Sequence, residues 1–141
     1  MMAWTIEYFE QQSGLQPAEV FEDDLVQTYP ALRGKLISIA RAMVASGPHH
    51  LGGGYVQTCH GYAGLWEMRA ISSRTLAREL FGLDGSRIVL LHGYVKRTGQ
   101  PASIKDLDLA AVYWQEYQRT RRISPEAIAP ATGQGGEQSS S

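Results

Sequence analysis

The sequence predicts an α+β domain of two layers: a helical hairpin packed on a mainly antiparallel sheet, with a further helix at the C-terminal end. Three observations lead there. Apolar residues recur at three- and four-residue spacing through two adjoining segments between Pro17 and Val44. Four short segments rich in β-formers follow between Tyr55 and Arg97, separated by turn residues. Helical spacing then returns only after Ser103. The chain has 141 residues, 43% apolar and 19% charged, which suits one globular core and is too short for two ordinary ones.

Each element has its own warrant. Trp4–Glu10 (WTIEYFE) alternates and is rich in β-formers, so it reads as a strand. Ser13 and Gly14 make a turn, and Pro17 suits the first position of a helix with acids in its opening turns. Val20, Phe21, Leu25 and Leu32 form its apolar side, broken near Tyr29-Pro30. A second helix follows on Leu32, Leu36, Ile39, Ala40, Met43 and Val44, and Gly47-Pro48 stops it. His49–Gly64 is loop-rich, with a short strand at Tyr55–Thr58. Leu65–Ser72 is a strand with Trp66, Met68 and Ala70 on one face, Glu67 and Arg69 on the other. Thr75–Phe81 is the next, and LDGS turns the chain into RIVLLHGYV (Arg87–Val95). Ser103 and Asp106 have the spacing of a capping box opening a helix over Ile104–Arg121. Leu107, Ala110, Ala111, Trp114 and Tyr117 supply the buried side of that helix. The domain is therefore expected over 1–122, and the Pro/Gly/Gln/Ser-rich stretch 123–141 as a disordered tail.

The net charge of −1 hides an uneven distribution. Residues 1–32 hold six acids and no Lys or Arg, whereas residues 33–105 hold ten cations against three acids. A basic middle is what an anionic partner meets, whatever the total. The single cysteine, Cys59, allows no internal disulfide and suggests a reducing, cytoplasmic setting. No charged segment followed by a leader-like apolar stretch opens the sequence and no apolar run reaches membrane length, so a soluble protein is expected.

Several chemistries find no footing. His49-His50 and Cys59-His60 are adjacent pairs in a Gly-rich loop, not the two-to-four spacing that converges on zinc, so no metal is expected. Gly52–Gly54 lacks the Lys-Ser/Thr of a phosphate-binding loop, there is no Gly-x-Ser-x-Gly elbow, and no cofactor is expected. Cations carry the better signal. Alternation puts Arg69 and Arg78 near the middles of consecutive strands, with Lys96 and Arg97 at the end of the next. Guanidinium groups bind phosphate bidentately and hold their charge at any working pH. If Arg69, Arg78 and Lys96 share the free face, they form an anion site; if Arg69 pairs with Glu67, they decorate the surface.

The stretches LWEMR (65–69), ARELF (77–81) and DGSRIVLLHGYVKRT (84–98), with the closing helix, resemble the RelE/HigB superfamily of bacterial and phage toxins, in its phage-derived HigB-like branch. The family pattern has a Leu-Tyr-Glu-Leu-Arg strand, a strand with Tyr-Arg, and an Arg-Ile-Val-Leu-Leu-His-Gly-Phe-x-Lys-Lys strand. The resemblance covers about residues 4–120. It implies the RelE fold and the toxin of a type II toxin–antitoxin system, a metal-independent endoribonuclease that cuts mRNA on the ribosome. By position, Arg69, Arg78 and Lys96 take the catalytic places, with Arg97 and Lys105 as further RNA contacts. His92 fits the pattern too, but inside a strand it is expected to pack or hydrogen-bond. The implied partners are a cognate, helix-turn-helix type antitoxin, the ribosome and mRNA. This chain departs from the pattern at Ala77, where tyrosine is usual, and at Glu79, where an apolar residue is usual. A carboxylate buried there is expected to find a partner or an edge position. The segment TGQPASI (98–104) also lacks a tyrosine, and none follows until Tyr113. These departures motivate a second reading, a non-catalytic relative that binds the antitoxin or ribosome. A gyrase-directed toxin of the same fold is a third.

Overall fold

The computed structural model describes residues 3–51 and 54–125. In chain order the elements are β1 (Thr5–Phe9), α1 (Pro17–Thr28), α2 (Pro30–Ser46), β2 (Val56–Thr58), β3 (Trp66–Ser72), β4 (Thr75–Asp84), β5 (Arg87–Arg97), α3 (Ile104–Thr120) and β6 (Ile123–Pro125). A single 3₁₀ turn, Pro48–His50, follows α2. The fold is α+β, and the strands form one sheet in the order β2-β3-β4-β5-β1-β6. All pairs are antiparallel except β1 with β5, which run parallel, Ile6 opposite Ile88 and Tyr8 opposite Leu90.

Local chemistry explains the helix boundaries. Pro17 and Pro30 each open a helix, where a missing N–H costs nothing and the fixed φ already suits the first turn. Pro30 also drives Tyr29 out of helical geometry, to φ −144° and ψ 68°, which breaks the apolar stripe into α1 and α2. At α3 the Ser103 hydroxyl accepts from the Asp106 backbone N–H at 3.2 Å, so the expected cap is formed.

The sheet buries both faces. Ile6, Tyr8, Met68, Ala70, Ala77, Phe81, Ile88 and Leu90 pack beneath the α1–α2 hairpin with Leu25, Leu32, Leu36 and Met43. Their chain neighbours point the other way: Phe9, Leu80, Val89 and Leu91 pack with Leu107, Ala110, Trp114 and Tyr117 of α3. The hairpin and sheet are the expected two layers, and α3 adds a cover over part of the second face. Two glycines allow close approach on opposite faces. A Cβ at Gly93 would lie 2.2 Å from Phe21 of α1, and one at Gly82 would lie 2.5 Å from the Trp114 ring.

β1 sits inside the sheet, between β5 and β6. One feature differs from the sequence reading. Ile123–Pro125, expected in the tail, instead pair antiparallel with Glu7–Phe9. Proline is tolerated there since β6 is an edge strand. The rest of that expectation, residues 126–141, lies outside the described residues.

Candidate functional site

The face shared with α3 runs out of apolar cover toward the Arg97 end of β5, and there the polar side chains gather. Arg69 of β3 stands directly opposite Arg78 of β4, and Arg78 stands opposite Tyr94 of β5. Lys96, two residues beyond Tyr94, is on the same face by alternation. Like charges placed opposite each other repel, so this arrangement needs either a counter-charge or an anionic ligand.

Glu67 supplies one counter-charge. Its Oε1 lies 3.4 Å from Arg78 Nη1, and its Oε2 accepts from Gln57 Nε2 at 2.6 Å. Glu67 is 3% exposed, so this carboxylate is fixed rather than adrift in solvent. The pair it makes is therefore with Arg78 and not with its own-strand neighbour Arg69. Among the described residues Arg69 has no ion pair, and its Nε is buried without a hydrogen-bond partner. Lys96 donates to the Gln100 carbonyl, and burial, then Arg78 and Arg69, pushes its ammonium below the ordinary lysine range. Among the described residues one carboxylate thus serves three cations on this face.

Tyr94 completes the cluster. Its hydroxyl accepts from Arg78 Nη1 at 3.3 Å and from the Ser103 backbone N–H at 3.4 Å. Next along β5, His92 Nε2 lies 2.7 Å from Asp106 Oδ1, the hydrogen-bonding role expected of it. Cys59 is nearby, where burial, then Glu67, pushes its thiol up to about 12. Arg69 also borders a mainly apolar groove of about 590 Å³, with Ile39 of α2 and Ile71 of β3 in its walls.

The structure brings together Arg69, Arg78 and Lys96. It does not bring in the other two predicted residues. Arg97 is exposed and, opposite Thr75, alternates to the other face from Lys96. Lys105 is exposed in the first turn of α3. Sequence reasoning missed Tyr94, although its parity with Lys96 and His92 was available. It also missed Gln57, for which a three-residue strand gives no signal.

Comparison with protein families decides the lineage. The family of phage-derived Gp49-like proteins (DUF891) matches residues 23–115, well over half the chain. The chain belongs to that family. Gp49-like proteins are a RelE/toxin-like family. No curated protein matches the chain.

In this Gp49-like chain two departures from the toxin pattern, Ala77 and Glu79, fall away from the cluster, whereas the segment 98–104 borders it through Gln100 and Ser103. Ala77 is fully buried under the helical hairpin, on the face opposite Arg78, so a tyrosine there would belong to the core. Glu79 shares that inner face and has the partner expected of it, the carboxyl of Glu22. Among the described residues no group of three or more His, Cys, Asp or Glu gathers as metal ligands would. His49 instead packs edge-on against Trp66 at 5.0 Å. No described helix is long and apolar enough to cross a membrane.

Proposed function

We propose that this Gp49-like protein is the toxin of a type II toxin–antitoxin pair, of the HigB-like branch, and cuts mRNA on the ribosome. The observation that carries the reading is the placement of Arg69 opposite Arg78 with Lys96 alongside, against the single carboxylate of Glu67. Three cations held on one face, two of them without a carboxylate partner among the described residues, suit a phosphodiester that gains negative charge as it reacts.

In the proposed reaction the ribose 2′-oxygen attacks phosphorus and the 5′-oxygen leaves, giving a 2′,3′-cyclic phosphate and a 5′-hydroxyl. Arg69 and Arg78 hold the non-bridging oxygens through the phosphorane. Glu67, the one carboxylate beside them, accepts the 2′-hydroxyl proton. Lys96 donates a proton to the departing 5′-oxygen, a role suited to an ammonium whose proton is loosened by burial and then by its cationic neighbours. Arg97 and Lys105 contact RNA phosphates beyond the scissile one. The ribosome aligns the 2′-oxygen with phosphorus, which leaves the protein mainly charge stabilisation to perform. A cognate antitoxin neutralises the protein in the cell.

Growth tests the reading. Inducing the wild type from a tight promoter is expected to arrest growth, and Arg78→Ala is expected to relieve the arrest at equal expression. A mutant as toxic as the wild type would remove Arg78 from the mechanism. One observation favours a second reading, a relative that binds the ribosome without cutting: no tyrosine stands between Tyr94 and Tyr113, in the segment where related toxins use one. Co-sedimentation with ribosomes and intact mRNA would support it.

A further inference from the structure

A phenol on the middle strand of a mostly apolar sheet needs a reason to carry its hydroxyl. Tyr94 is 7% exposed, and its place in the strand is one that phenylalanine fills in the toxin pattern. Packing alone requires only the ring. The hydroxyl costs desolvation, and that cost is met here by two donors from different elements: Nη1 of Arg78 on β4 and the backbone N–H of Ser103 at the start of α3. With both lone pairs taken, the hydroxyl ties the site arginine to the helix N-terminus.

The tie matters because of what surrounds Arg78. A long side chain facing Arg69 across the strand pair and close to Lys96 is repelled from two sides. Glu67 draws the same Nη1 from the β3 side, at 3.4 Å. Tyr94 draws it from the β5 side. Ser103 is in turn held by Asp106, whose carboxylate also takes His92. A continuous polar chain therefore runs Gln57–Glu67–Arg78–Tyr94–Ser103–Asp106–His92 across the sheet and into α3.

We infer that Tyr94 is a positioning residue of the site, whose hydroxyl fixes the Arg78 guanidinium between Glu67 and the start of α3. The inference rests on the endonuclease reading for its effect on turnover, but not for its effect on Arg78 itself. Tyr94 touches no reacting atom in this account. It sets the orientation of the group that does, and orientation errors are felt in turnover more than in binding.

The test compares wild type, Tyr94→Phe, Arg78→Ala and the double variant on mRNA-programmed ribosomes. Tyr94→Phe is expected to lower kcat about tenfold with KM within about twofold, the split expected when an interaction is made chiefly in the transition state. It is expected to cost nothing more once Arg78 is alanine, because its effect passes through that side chain. A kcat equal to wild type, or a further loss on the Arg78→Ala background, would overturn the inference. A second measurement does not depend on cleavage. Rotation of the Arg78 guanidinium, followed by ¹⁵N NMR in the free protein, is expected to be slow in wild type and fast in Tyr94→Phe. Equal rotation in the two would overturn the inference even if RNA is cut. Released rotation with a wild type that cuts no RNA would sink the endonuclease reading and leave the positioning role standing.

Discussion

Glu22 of α1 and Glu79 of β4 are hydrogen-bonded carboxyl groups inside the hairpin-side core, 1% and 0% exposed. Two carboxylates in contact cannot bond unless one carries a proton. Burial raises the Glu22 carboxyl above its ordinary 4.5, opposed by its bonds to Glu79 and to Tyr8, whose hydroxyl donates to Oε1 at 2.5 Å, and by Arg33. The folded chain thus holds the Glu22 proton more tightly than the unfolded chain does. The stabilisation is full below about pH 4.5 and is lost as pH rises through the folded value. Glu22→Gln can still accept from Tyr8 and donates to Glu79 at every pH. It is expected to flatten the dependence of Tm on pH and to gain about 1 kcal/mol near pH 8. Parallel curves for variant and wild type between pH 4 and 8 would contradict the shared proton.

Beside that pair, Gly93 is the contact point for Phe21. Gly93→Ala is expected to destabilise by about 1–3 kcal/mol, because its Cβ would enter the partly buried Phe21 ring at 2.2 Å and force the ring off the sheet. Phe21→Ala costs stability by itself but should make Gly93→Ala nearly neutral. Urea melts of the two single variants and the double variant check this, and additive losses would count against the contact.

How much of this could be read from the sequence depended on whether the signal was local. Arg87–Arg97 was legible because an apolar run between an LDGS turn and two cations has one reading. Tyr29-Pro30 marked the helix break for the same kind of reason. The parallel pairing of Thr5–Tyr8 with Arg87–Leu90 was not legible, since alternation in a five-residue strand says nothing of its neighbour. Ile123–Pro125 had the composition of a tail and became a strand only because β1 left an edge to pair with. In the site, parity alone brought Arg69, Arg78 and Lys96 to one face. The choice of Arg78 over Arg69 by Glu67 is a rotamer outcome, set by Gln57 behind the carboxylate and Tyr94 across the strand.

Cys59 reports on Glu67. With its thiol held at about 12 by burial and by the Glu67 charge, native protein at pH 8 is expected to react slowly with a disulfide reagent and the denatured chain quickly. Glu67→Gln removes a negative charge and lowers the thiol pKa. The native reaction should then speed up by about three- to tenfold, as the thiolate fraction rises. An unchanged rate in that variant would mean that the Glu67 charge does not reach the Cys59 thiol.

Ser103 is both the α3 cap and a partner of Tyr94. Ser103→Ala is expected to cost about 1 kcal/mol in urea melts, and Ser103→Thr much less, because threonine keeps the capping hydroxyl. Equal stability of the alanine variant would mean that another group takes the Asp106 N–H.

The central claim is that Arg69, Arg78 and Lys96 act together on RNA, and mapping mRNA 5′ ends after brief induction tests it most directly. New ends inside translated frames, present with wild type and lost with Arg78→Ala and Lys96→Ala at equal expression, are the predicted result. No new ends with the wild type, or the same ends with either variant, would contradict it.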